Sequence, residues 1–111
     1  MRVLLVENDN DEAVLLKTSL RRESASEIEL TRVVTMSEAI AALHEDPFDA
    51  ILLDLSLRGS NGQDAVHRVQ STAPSIPIVV LSGDDNEKFA VEILNRGVQD
   101  FLIKGRVMVE P

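Results

Sequence analysis

Ile51-Leu52-Leu53-Asp54-Leu55 is the stretch on which the fold turns. A short, unbroken apolar run is the pattern of a strand buried on both faces of a parallel sheet. A carboxylate inside such a run is costly unless it is paired, hydrogen-bonded or on a metal. The plainer reading is a strand-end aspartate that caps the next loop. That reading accounts for Asp54 alone, whereas Glu7 ends the run Val3-Leu4-Leu5-Val6 in the same way. Two carboxylates brought close together repel each other. A hard divalent cation relieves this, and Mg²⁺ typically takes one or two carboxylates together with water and phosphate oxygens.

Further apolar runs lie on either side. Ile78-Val79-Val80-Leu81 and Phe101-Leu102-Ile103 read as two more buried strands. Ile28-Glu29-Leu30-Thr31 alternates before Val33-Val34, which marks a strand with one wetter face at the edge of the sheet. Helical spacing fills the intervals. Ala13, Leu16 and Leu20 form the first stripe, and Ala39, Ile40 and Leu43 the second. Ala65, Val66 and Val69 form the third, and Ala90, Ile93 and Leu94 the fourth, with Gly97 as its C-cap. Thr35 and Glu38 have the spacing of a capping box at the start of the second helix. Pro47, Pro74 and Pro77 fall between elements, where a missing N–H does no harm. The order is β-α-β-α-β-α-β-α-β, an α/β sandwich of parallel strands joined by right-handed crossovers.

Composition narrows the possibilities. The 111 residues suit one domain. Aromatic residues amount to three phenylalanines, so the core is aliphatic. The formal charge of −8 with no basic cluster leaves the chain without electrostatic means to bind nucleic acid by itself. With no cysteine, disulfides, zinc-thiolate sites and thiol catalysis are excluded. No apolar run reaches the ~18 residues of a membrane helix, and the start is too short and too acidic for a signal peptide. A cytoplasmic protein with no membrane partner is expected.

Ligands of open α/β sheets bind outside the carboxyl ends of the strands. Those ends carry Glu7-Asn8-Asp9, Asp54, Ser82-Gly83 and Lys104. No glycine-rich dinucleotide or NTP fingerprint follows the first strand. Ser82 and Lys104 have ordinary readings as a loop cap and a surface lysine. The position of Lys104 directly after a buried strand suits pairing with Asp54 or with a phosphoryl oxygen. His44 and His67 read as surface residues, Met36 and Phe48 as packing residues, and the run 84–87 as the solvated acidic start of the fourth helix.

Taken together, Leu5-Val6-Glu7, Leu52-Leu53-Asp54-Leu55, Gly62, Leu81-Ser82-Gly83 and Asp100-Phe101-Leu102-Ile103-Lys104-Gly105 resemble the receiver domain of bacterial two-component response regulators. The resemblance runs from Val3 to Lys104. It implies one receiver domain over residues 1–111 and a five-stranded parallel sheet in the order 2-1-3-4-5, with helices on both faces. It also implies a phospho-accepting switch rather than a turnover enzyme. Asp54 would take a phosphoryl group from a histidine kinase or phosphotransfer protein. Glu7, Asn8, Asp54 and the backbone carbonyl of Ser56 would hold Mg²⁺. Lys104 would bind a phosphoryl oxygen, Ser82 would hydrogen-bond the acyl phosphate, and Phe101 would follow that hydroxyl inward as the switch aromatic. The surface around helix four and strand five would then change for a downstream protein partner.

This chain departs from the family in three places. Asn8 stands where the family usually has a second acid, so Mg²⁺ is expected to bind more weakly. Asp9 could compensate only if its side chain faced the same way. Arg58 stands where many members have proline, which concerns loop stiffness. After Lys104 too few residues remain for the fifth helix that would cover one sheet face. That face is therefore expected to be partly bare, either because the chain is a piece of a longer protein or because a partner covers it. A homodimer through the helix-four and strand-five region is one such pairing. Asn8 and the missing helix also support a second reading, a receiver-like interaction module that works without phosphorylation. A small Mg²⁺-dependent phosphohydrolase is a weaker third, because no dedicated base or substrate pocket is apparent.

Overall fold

The computed structural model describes residues 1–23, 27–54, 62–81, 88 and 91. Its elements are β1 (Arg2–Val6), α1 (Asn10–Glu23), β2 (Glu29–Val33), α2 (Met36–Glu45), β3 (Ala50–Asp54), α3 (Gly62–Thr72) and β4 (Ile78–Leu81). The strands are parallel and ordered β2-β1-β3-β4, the first four positions of the expected order. The fourth helix with Gly97 and the fifth strand, Phe101-Leu102-Ile103, lie outside the described residues.

Register explains the two-sided burial. Leu5 lies opposite Leu52, and Leu52 opposite Val79. These three belong to one core cluster together with Ala13, Leu16 and Leu20 of α1. The alternate positions Leu4, Val6, Ile51, Leu53, Ile78 and Val80 face a second cluster with Met36 and Ala39 of α2 and Ala65 and Val69 of α3. Every residue of β3 is buried, whereas β2 is exposed or half-buried throughout. The alternating strand is thus the edge, as its pattern required.

The helix stripes hold as well. Ala13, Leu16, Leu20, Ala39, Ala65 and Val69 are buried, and Ile40, Leu43 and Val66 pack partly buried. Met36 and Phe48 are core residues, and His44 and His67 are exposed. Phe48 keeps one face under the Arg2 guanidinium, 5.4 Å from the ring centre. Both halves of the capping box form: Glu38 N–H donates to Thr35 Oγ1 at 3.1 Å, and Thr35 N–H to Glu38 Oε1 at 3.1 Å.

At β4 the face on the α1 side is covered, with Val79 3% and Leu81 0% exposed, and the part of that face at the fifth strand lies outside the described residues. Val91, which has helical backbone, packs against the α1-side cluster that holds Val79 and Leu81. Covering this apolar surface keeps it from water, the main favourable contribution to folding.

Candidate functional site

The carboxyl ends of β1 and β3 bring Glu7 and Asp54 together. Val6 pairs with Leu53, so the next position on each strand places Glu7 beside Asp54. Both are buried, Glu7 at 1% and Asp54 at 4% exposed. Their carboxyl groups are hydrogen-bonded to one another. Burial, the Asp54 hydrogen bond and the Asp54 charge push the Glu7 carboxyl up to about 8, against the weaker opposing effect of the Asp9 N–H that it accepts. Without a cation, the Glu7–Asp54 pair therefore holds a proton well above the ordinary carboxylate range. Glu7 Oε2 is buried with no hydrogen-bond partner, an oxygen lone pair left over in a dry, anionic corner.

That leftover acceptor is the test of fit for a hard cation. A divalent ion would take the orphaned oxygen and displace the shared proton, its charge then offsetting the repulsion between the two carboxylates. Among the described residues no group of three His, Cys, Asp or Glu converges on one point. The described donors are therefore two carboxylates and the neighbouring Asn8, which is partly exposed. This is the sparse protein contribution that suits Mg²⁺, an ion that keeps most of its water.

Asp9 does not replace the missing acid. Its Oδ1 accepts the Glu12 N–H at 3.0 Å and its carbonyl accepts the Ala13 N–H at 3.0 Å, so it caps α1. Ser56, Arg58, Ser82, Phe101 and Lys104 lie outside the described residues, as does the acidic run 84–87.

Sequence reasoning missed Arg32. Leu30 and Arg32 share a face of β2, and Leu30 packs on the α1-side core. A charge on the inner face of an edge strand was the available signal. Arg32 Nε donates to the Glu7 carbonyl at 3.0 Å and Nη1 to Asn10 Oδ1 at 2.8 Å, while Nη2 is buried without a hydrogen-bond partner.

With this geometry in hand, comparison with known proteins is decisive. The family described as the response regulator receiver domain matches residues 3–108. The chain belongs to that family. Two curated relatives are the luminescence regulatory protein LuxO of Vibrio campbellii and the transcriptional regulatory protein QseB of Escherichia coli O157:H7. LuxO is 39% identical over 77 residues, covering 69% of this chain and 17% of LuxO. QseB is 32% identical over 110 residues, covering 99% of this chain and 49% of QseB. The chain thus spans about half of QseB and less of LuxO. A sensor protein from Polaromonas sp. JS666 shares the fold with a TM-score of 0.73 at 20% identity, over 89% of this chain and 96% of that one. Receiver domains are signalling domains of two-component systems. Among the described residues no helix is long and apolar enough to cross a membrane.

Proposed function

We propose that this receiver domain accepts a phosphoryl group on Asp54 from a histidine kinase or phosphotransfer protein. The observation that carries the reading is the buried Glu7–Asp54 pair with its orphaned Glu7 oxygen at the carboxyl ends of adjacent central strands. Asp54 is the nucleophile. A carboxylate oxygen attacks the phosphorus, the bond to the donor imidazole nitrogen breaks, and an acyl phosphate forms on Asp54. Glu7, Asn8, Asp54 and, by family resemblance, the Ser56 carbonyl would hold Mg²⁺. When bound, the ion supplies neutralising charge that lets an anion attack an anionic phosphoryl group.

Family resemblance extends this to residues beyond the described ones. Lys104 binds a phosphoryl oxygen, Ser82 hydrogen-bonds the acyl phosphate, and Phe101 follows Ser82 inward. The change of packing presents a different surface to a downstream protein. On this reading the chain is a cytoplasmic switch and not a turnover enzyme.

The test is incubation with acetyl phosphate and Mg²⁺ followed by intact-mass measurement. A phosphoryl adduct in the wild type, absent in Asp54→Asn, is expected. No adduct at any Mg²⁺ concentration would overturn the reading. Asn8 favours one alternative, a receiver-fold interaction module that acts unphosphorylated. On that alternative Asp54→Asn leaves partner binding unchanged.

A further inference from the structure

Glu7 stands where the β1–β2 ladder ends. Its N–H donates to the Val33 carbonyl at 3.0 Å. In a regular parallel ladder the following rung would carry the Thr35 N–H to the Glu7 carbonyl. The Thr35 N–H is taken instead by Glu38 Oε1, and so is that of Val34, at 3.0 Å. The capping box that starts α2 thus removes the donor the Glu7 carbonyl needs. The Arg32 side chain substitutes for it with Nε at 3.0 Å. The same guanidinium reaches Asn10, the first residue of α1, through Nη1 at 2.8 Å. Residues 7–10 are therefore held at both ends by one planar, pre-organised fork.

We propose that Arg32 is a positioning residue for divalent-cation binding: by holding the Glu7 carbonyl and the Asn10 side chain, it fixes the turn that presents Glu7 and Asn8 to the ion. This rests on the reading of the Glu7–Asp54 corner as a Mg²⁺ site. The chain has particular need of such a device. With asparagine at position 8 one anionic ligand is replaced by a neutral one, so affinity depends more heavily on the placement of the donors that remain. Groups that orient metal ligands from behind commonly matter about tenfold or more in affinity.

Charge and geometry predict opposite signs, which makes the test sharp. Removing a cation close to a cation site, by charge alone, tightens Mg²⁺. Loosening the turn weakens it. The experiment is Mg²⁺ titration by calorimetry on the full chain, comparing wild type, Arg32→Gln, Arg32→Lys and Asn10→Ala. Each is run at a temperature where circular dichroism shows it fully folded. Arg32→Gln is expected to bind about tenfold more weakly. Arg32→Lys, which keeps the charge but loses the fork, and Asn10→Ala, which removes one arm, are expected to fall between it and wild type. An Arg32→Gln affinity equal to or tighter than wild type would overturn the inference. If Arg32→Gln does not fold, Asn10→Ala decides by the same criterion. A wild-type chain with no measurable Mg²⁺ affinity overturns the metal reading itself and this inference with it, a failure distinguishable from that of Arg32 alone.

Discussion

Replacing Glu7 by glutamine separates two effects that the carboxylate pair combines. In the metal-free protein Glu7 is raised from 4.5 to about 8, chiefly by burial and then by Asp54. A carboxyl raised on folding binds more protons folded than unfolded. Its favourable contribution is therefore fully present below about 4.5 and lost as pH climbs through about 8. Metal-free wild type is expected to lose on the order of 3–4 kcal/mol of stability between pH 5 and pH 8 from this group. Glu7→Gln should flatten that slope and raise Tm at pH 8, while Mg²⁺ ceases to stabilise the variant. Thermal unfolding at both pH values, with and without Mg²⁺, checks this, and an unchanged slope would contradict it. Asn8→Asp tests the neighbouring position. On the proposed Mg²⁺ reading, a negative charge added next to Glu7 should tighten Mg²⁺ roughly tenfold, read by calorimetry. Equal affinities would show that charge at position 8 does not set the binding.

At the scale of elements, the α2 start shows what local sequence can and cannot reveal. Thr35 and Glu38 are three residues apart, and a capping box is a statement about residues that close, so it is legible in the amino-acid order alone. The buried strands are legible for the same reason, since runs such as Ile51-Leu52-Leu53 need no partner to be read. The Glu38 carboxylate takes the Thr35 N–H, the donor that a further rung would need, and this ends the ladder and hands the Glu7 carbonyl to Arg32. That consequence depends on the register between β1 and β2, which joins residues 25 apart, and no local pattern encodes it. Likewise each carboxylate is visible as a strand end, but their mutual hydrogen bond follows only from the Val6–Leu53 pairing. Thr35→Ala is expected to cost about 1 kcal/mol, measured by urea unfolding. The Val34 and Thr35 N–H groups hold Glu38 below its ordinary value. Its contribution is therefore present above 4.5 and lost as pH falls through the lower folded value. Glu38→Gln should lose that acid-side dependence, and an identical acid limb in both proteins would refute the assignment.

For the whole molecule, the question is how stability is distributed across the sheet. At β4 the α1-side face is closed, with Val91 packed on the cluster that holds Val79 and Leu81. Both faces of β3 are closed, while β2 remains half-open along its length. Stability should fall from centre to edge. Leu52 is 0% exposed and sits between Leu5 and Val79 beneath α1. Leu52→Ala leaves a cavity that fixed neighbours on both sides cannot fill, at a cost of about 3 kcal/mol. Leu30 packs on the same cluster from the edge strand and is already half-wet. Water or a shifted α1 can take up its volume, so Leu30→Ala should cost about 1 kcal/mol. Urea unfolding with equal m-values in the two variants tests the contrast. Equal losses would mean that the edge strand carries as much of the fold as the centre. Arg32 would then be anchored to a rigid strand, whereas the predicted gradient leaves it on the least buried of the described strands.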